Sequence, residues 1–200
     1  MPLVPAFCLS PFRTSDLLSR PVTLRSPLSH PPHQHTVSMK YDMSSVAAIE
    51  WLKQPIAVRG KVQRGFGRGS RDLGTPTANL PGHLVQGCAE AERDGVYLGF
   101  GRVPKYGDQV VKMVANLGRN VTYGDVKERV LEAYLLSDEF DEEFYGEEMR
   151  LCLLGFMRPE RKFNSIEELM KHINNDVEVA REALDVPEAM PFRKHTSLTE

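Results

Sequence analysis

Thr77 and Asn79 stand two residues apart, just behind a proline, in the stretch Leu73-Gly74-Thr75-Pro76-Thr77-Ala78-Asn79-Leu80. Pro76 fixes φ at the entrance of an extended segment, which suits the start of a strand and not its middle. In a strand, residues two apart leave the same face. A hydroxyl and an amide oxygen side by side are hard, neutral donors, suited to Mg²⁺ that also binds phosphate oxygens. The same residue types also satisfy backbone groups at strand ends, so spacing alone leaves both readings open.

Glu132 is a second candidate. In Arg129-Val130-Leu131-Glu132-Ala133-Tyr134-Leu135-Leu136, one strand face carries Leu131, Ala133 and Leu135. The other carries Val130, Glu132, Tyr134 and Leu136. An unpaired carboxylate among apolar neighbours is costly, and such surroundings favour uptake of a proton, as a general base for an alcohol requires. The alternative is a solvated glutamate on a half-exposed strand. A third candidate is the loop in Gly60-Lys61-Val62-Gln63-Arg64-Gly65-Phe66-Gly67-Arg68-Gly69-Ser70. Its alternating glycines let backbone N–H groups converge on an anion, or simply make a flexible hairpin loop. It is neither a Walker A loop nor, with no helix following, a dinucleotide fingerprint. Arg158, in Arg158-Pro159-Glu160, either pairs with a carboxylate or faces a ligand.

The elements that must position these groups are mostly strands. Segments 56–63, 96–103, 109–117, 128–136 and 149–157 have apolar, β-branched content and are separated by turn-forming stretches. Strands at this spacing without helices between them predict an antiparallel barrel or sandwich, since a parallel sheet needs crossover helices. Residues 44–52 read as a short, serine-capped helix. Ser165-Ile166-Glu167-Glu168 has the form of a capping box. Ile166, Leu169, Ile173, Val177, Ala180 and Leu184 then form a helical stripe expected to lie against the barrel. Beyond Pro187 and Pro191 a frayed tail, 191–200, is expected. The acid-rich run from Asp138 to Glu148 reads as a solvated loop, its base pinned by Phe140, Phe144 and Tyr145.

Two hundred residues, 41% of them hydrophobic, suffice for one domain with a core. The formal net charge of −2 gives no general pull toward nucleic acid, and no apolar run is long enough to span a membrane. Cys8, Cys88 and Cys152 form no CxxC pair, which fits a reducing compartment. Residues 1–43 read as a disordered leader: positions 1–41 hold seven of the fourteen prolines and one acid, Asp16. Arg13, Arg20, Arg25 and Lys40 make it basic. An organelle transit peptide, a plain flexible tail and an extension ahead of a start at Met39 or Met43 are all compatible with it. The compartment is accordingly cytoplasmic or organellar.

Taken in order, these stretches resemble riboflavin kinases. The resemblance runs through Gly60-Lys61-Val62, the Gly65–Ser70 loop, the Pro-Thr-Ala-Asn signature at 76–79 and Gly95-Val96-Tyr97. It continues through Gly118 with Asn120, Leu131-Glu132-Ala133-Tyr134, Phe144-Tyr145-Gly146, Arg158-Pro159-Glu160, Phe163 and the helix with Ile173 and Asp176. It covers about residues 55–185, within a domain taken as 44–190. It implies a mainly β, six-stranded antiparallel Greek-key barrel with a C-terminal helix. It also implies transfer of the γ-phosphate of ATP to the ribityl 5′-hydroxyl of riboflavin, giving FMN and ADP. By the same resemblance, Gly65, Phe66, Gly67, Arg68, Gly69, Ser70 and Thr77 meet ATP, and Thr77 and Asn79 hold Mg²⁺. Glu132 is the base, and Gly118, Asn120, Tyr134 and Arg158 lie near the flavin.

The partners implied are small molecules, with a monomer expected. Asn120-Val121 stands where relatives often have Asn-Pro, which makes that loop less stiff, and Tyr134 replaces a common histidine. The residues ahead of the barrel are too few for the nucleotidyltransferase or phosphatase domain of some relatives, so FAD synthesis and FMN hydrolysis are not expected. A non-catalytic flavin-binding barrel and an oligonucleotide-binding barrel are the competing classes. Asn79 with Glu132 argues against the first, and the acidic balance against the second.

Overall fold

Alternation of buried and half-buried residues marks the strands Val111–Val121 and Lys127–Leu135, whereas Gly95–Arg102 and Glu148–Pro159 are buried almost throughout. In the computed structural model, the residues described are 48–64, 77–121, 127–137, 140 and 144–200, the side chains of 120, 121 and 127 apart. Six strands form one antiparallel sheet: β1 (Glu50–Lys61), β2 (Ala78–Pro81), β3 (Gly95–Arg102), β4 (Val111–Val121), β5 (Lys127–Leu135) and β6 (Glu148–Pro159). Their order is β1-β6-β3-β4-β5-β2. An isolated bridge between Gln63 and Asn79 joins the two ends of that order and closes the barrel.

The inward rows, including Leu80, Tyr97, Met113, Leu117, Leu131, Ala133, Met149, Leu151 and Leu153, make one core. A second cluster lies outside the sheet, where Leu98, Phe100, Cys152 and Leu154 meet a helix. Strands β3 and β6 are therefore covered on both faces, which explains their nearly unbroken apolar sequence. Cys88 and Cys152 are free thiols, and burial pushes that of Cys152 up to about 11 despite a hydrogen bond with Ser197.

That helix, α1 (Ile166–Ala183), begins with Ser165 Oγ accepting from Glu168 N at 3.1 Å. Glu168 reaches back to Asn164 N at 3.0 Å, one residue earlier than in a simple capping box. The expected stripe holds in its C-terminal half, where Ala180 and Leu184 are fully buried and Val177 packs against the outer cluster, but the buried face also takes in residues outside it. Asp176, Val179, Ala180 and Ala183 are buried, whereas Ile166 is 60% exposed. The reason is a carboxylate. Asp176 turns inward to meet Arg158 of β6, accepting from its Nε at 3.0 Å and its Nη2 at 2.6 Å, and this forked, charge-assisted pair helps set the helix rotation.

Two further expectations are corrected. Glu50, Trp51 and Leu52 are the start of β1, not the end of a helix: Glu50 faces Phe156 and Trp51 faces Gly155 in the ladder with β6. Ile49 anchors the turn in the outer cluster, and Pro55 falls in the register shift between Trp51 and Ile56, where its missing N–H does least harm.

The segment after Pro191 is not frayed. It forms a 3₁₀ turn (Met190–Lys194) and one helical turn, α2 (Thr196–Thr199), and Leu198 is fully buried in the outer cluster. Arg102 and Arg150 donate to the carbonyl oxygen of Leu198 at 3.1 and 3.5 Å, and Arg59 donates to that of Glu200 at 3.3 Å. One apolar anchor and three arginines from β1, β3 and β6 thus hold a segment that composition alone marks as loose.

Candidate active site

The register of three strands assembles the polar site. Asn79 of β2 faces Glu132 of β5, and Glu132 faces Asn116 of β4. On either side, Ala78, Ala133 and Ala115 make one apolar rung and Leu80, Leu131 and Leu117 another, all buried in the barrel core. Alternation then sends Asn79, Glu132 and Asn116 to the outer face. The polar rung continues through Val96 of β3 to Arg158 of β6.

Thr77, immediately before β2, donates its hydroxyl hydrogen to Glu132 Oε1. Among the described residues no hydrogen bond engages the other oxygen, Oε2, so the carboxylate is oriented through one oxygen only. Asn79 is only 9% exposed, yet no described residue makes a hydrogen bond to its side-chain amide. Its amide atoms nonetheless keep contact with solvent, since among the described residues the only buried side-chain N or O atom without a partner is the Tyr106 hydroxyl. Hydroxyl, amide oxygen and adjacent carboxylate form an all-oxygen donor set, the type that Mg²⁺ accepts alongside phosphate and water. No group of three or more His, Cys, Asp or Glu residues suited to a metal occurs among the described residues.

Tyr134, facing Val114, is half-buried against the outer cluster. Arg158 is occupied by Asp176 and lies with its guanidinium carbon 6.0 Å from the Phe163 ring centroid. Gly118 lies under Glu160: a Cβ there would meet Glu160 Oε1 at 2.0 Å. Glu160 in turn accepts from Asn116 Nδ2 at 3.0 Å. Sequence reasoning singled out neither Asn116 nor a role for Glu160. The signal was alternation along β4, readable only once the register against β5 is known.

Gly65, Phe66, Gly67, Arg68, Gly69 and Ser70 lie outside the described residues, as does the side chain of Asn120. In the acidic stretch, Phe140 and Phe144 do anchor the chain, packing edge-on to Tyr106 at 5.3 and 5.9 Å. Tyr145 is instead 39% exposed, with Arg64 5.0 Å from its ring centroid.

A closed six-stranded antiparallel barrel with a helix docked outside is thus the frame that carries the hydroxyl–carboxylate pair. The family model described as Flavokinase: Riboflavin kinase matches residues 52–184. This chain belongs to the riboflavin kinase family.

It is 41% identical over 139 residues to the riboflavin kinase of Mus musculus, covering 70% of this chain and 87% of that protein. It is 44% identical over 156 residues to the bifunctional riboflavin kinase/FMN phosphatase of Arabidopsis thaliana, 76% of this chain but only 40% of that protein's length. Among solved structures, riboflavin kinase from Trypanosoma brucei matches with a TM-score of 0.56 and 26% identity, covering 76% of this chain and 91% of that one. No helix among the described residues is long and apolar enough to cross a membrane.

Proposed function

We propose that this chain, acting as a monomer, transfers the γ-phosphate of ATP to the ribityl 5′-hydroxyl of riboflavin, giving FMN and ADP. The observation that carries the reading is the Thr77–Glu132 hydrogen bond, with Asn79 directly opposite Glu132 on the neighbouring strand. Thr77 fixes one carboxylate oxygen, and the other takes the proton of the acceptor hydroxyl. The acceptor oxygen then bonds to the γ-phosphorus. The bond from that phosphorus to the β–γ bridging oxygen breaks, and ADP leaves with the electron pair.

Thr77 and Asn79 are the residues that would hold Mg²⁺, which when bound neutralises phosphate charge and orients the oxygens. The remainder of the task is positioning, and holding acceptor and phosphate within reach contributes much of the rate. Gly65, Phe66, Gly67, Arg68, Gly69 and Ser70 would cover the phosphates. Gly118, Asn120, Tyr134 and Arg158 would border the flavin, Arg158 through its pair with Asp176. We take the catalytic unit to begin near residue 44 and to include the docked tail, with 1–43 as leader.

The test is chromatography of flavins after incubation of the purified chain with riboflavin, ATP and Mg²⁺. FMN should form only when both ATP and the divalent ion are present. Quenching of riboflavin fluorescence without any FMN would instead identify a flavin-binding barrel that has lost turnover. Fusing residues 1–45 to a fluorescent reporter distinguishes an organellar from a cytoplasmic address.

A further inference from the structure

We infer that Asn116 and Glu160 read the secondary hydroxyls of the acceptor's ribityl chain and so set the enzyme's preference for a polyol side chain. This rests on the phosphotransfer reading and adds a specificity device to it. The first support is position. Asn116 is the next residue after Glu132 on the polar rung, one strand further from Asn79. Neighbouring strands are about 4.8 Å apart, which is roughly the span of three to four C–C bonds in an extended chain. With the terminal hydroxyl at Glu132, a chain running along the rung away from Thr77 carries its secondary hydroxyls past Asn116.

The second support is chemistry. Asn116 Nδ2 donates to Glu160 Oε1 at 3.0 Å, which orients both side chains. Among the described residues no hydrogen bond engages Asn116 Oδ1 or Glu160 Oε2, and no ion pair neutralises Glu160. The pair therefore presents two acceptors and a negative charge, an arrangement that favours neutral hydroxyl donors and repels anionic groups. Asn116 is half-buried and Glu160 exposed, so a ligand can reach both.

The third support is the floor beneath them. The Glu160 carboxylate occupies the space that any side chain at position 118 would fill, 2.0 Å from an added Cβ. Glycine there lets the carboxylate lie down against the strand, close to Asn116 and along the rung that leads to Glu132.

The test compares riboflavin with a flavin bearing a 5-hydroxypentyl side chain, which keeps the terminal hydroxyl and lacks the secondary ones. Wild-type protein should prefer riboflavin in kcat/KM. Asn116→Ala should lower kcat/KM for riboflavin about 3–10-fold, the equivalent of a neutral hydrogen bond, and the isosteric Glu160→Gln about 10–100-fold, the equivalent of one to a charged group. Turnover of the hydroxypentyl flavin should change about twofold or less, so the preference collapses while KM for ATP stays put.

Equal losses on both flavins would mean that the pair only supports the strand, and the inference fails. Quenching of flavin fluorescence provides the same comparison without turnover. If wild-type protein binds the two flavins equally, the inference falls whether or not FMN forms. If it discriminates between them and the variants do not, the inference stands even where a missing FMN product defeats the kinase reading.

Discussion

Thr77 donates a hydrogen bond to Glu132 across 55 residues of sequence, tying the entrance of β2 to the middle of β5. The bond fixes one carboxylate oxygen and leaves the other without a hydrogen bond among the described residues. Glu132→Gln keeps the shape and an acceptor for Thr77 but cannot take a proton. Its kcat should fall about 10²–10⁴-fold, the range for a general base, while circular dichroism and the thermal unfolding midpoint stay near wild type. Undiminished turnover removes Glu132 from the chemistry.

Thr77→Val and Asn79→Ala delete the two neutral oxygen donors. Each should raise the Mg²⁺ concentration for half-maximal activity by about tenfold or more, given what even indirect contacts contribute to metal affinity. A Mg²⁺ titration at saturating ATP measures this directly. Superimposable curves would assign both residues to backbone support alone.

Two glycines make a matched pair. At Gly99 an added Cβ would meet the Cys152 carbonyl oxygen at 2.0 Å, in the backbone of a central strand that cannot yield. At Gly118 it would meet Glu160 Oε1 at the same 2.0 Å, but that atom ends a flexible, exposed side chain. Gly99→Ala should therefore cost about 3 kcal/mol in urea unfolding, at the upper end for overpacking. Gly118→Ala should cost roughly 1 kcal/mol or less and act instead on flavin selectivity. The reverse order would contradict the packing described for β3.

The carboxyl of Glu148 is held below the usual carboxylate range, first by Arg150 Nε at 2.7 Å and then by Arg59 Nε at 2.8 Å. A carboxylate depressed in the folded state contributes stability above its unfolded value and loses it as pH falls through the folded one. Wild type should exceed Glu148→Gln in urea midpoint at pH 7, and the gap should close on going well below about pH 4. A gap independent of pH would mean that charge is not what the two arginines hold.

Leu198 tests the docked tail. It is fully buried although its neighbours are polar. Leu198→Ala should destabilise the domain by roughly 2–5 kcal/mol, as for other buried leucines. A loose tail would lose nothing, and an unchanged urea midpoint would show that.

Much of the barrel is legible in local sequence because a period of two is a local property. The inward row of Leu131, Ala133 and Leu135 can be read off directly, as can the serine cap of α1. What depends on distant partners cannot. Glu132 and Thr77 each carry a chemical hint, but their contact is a matter of register between β2 and β5. Asn116 and Glu160 carry no hint at all until β4 and the end of β6 are brought together.

The helix expected at 44–52 fails at its C-terminal end because short apolar segments suit either period, and pairing with β6 decides. The stripe of α1 is legible at Val177, Ala180 and Leu184, but the inward turn of Asp176 is not, because its partner Arg158 sits on β6. The docking of the tail is not legible locally because its three arginine partners sit on three different strands.

Most neighbouring strands in the ring are joined by long ladders, but among the described residues β1 and β2 meet through the single Gln63–Asn79 bridge, with Gln63 N donating to Asn79 O at 2.8 Å. The weakest stitch of the cylinder is thus sewn to a residue proposed above to hold the metal. On that proposal, whatever binds Asn79 also fastens the stitch, so occupancy and integrity of the wall rise together. Amide exchange at Gln63 then becomes a gauge of loading, slowing when the site fills and quickening when it empties.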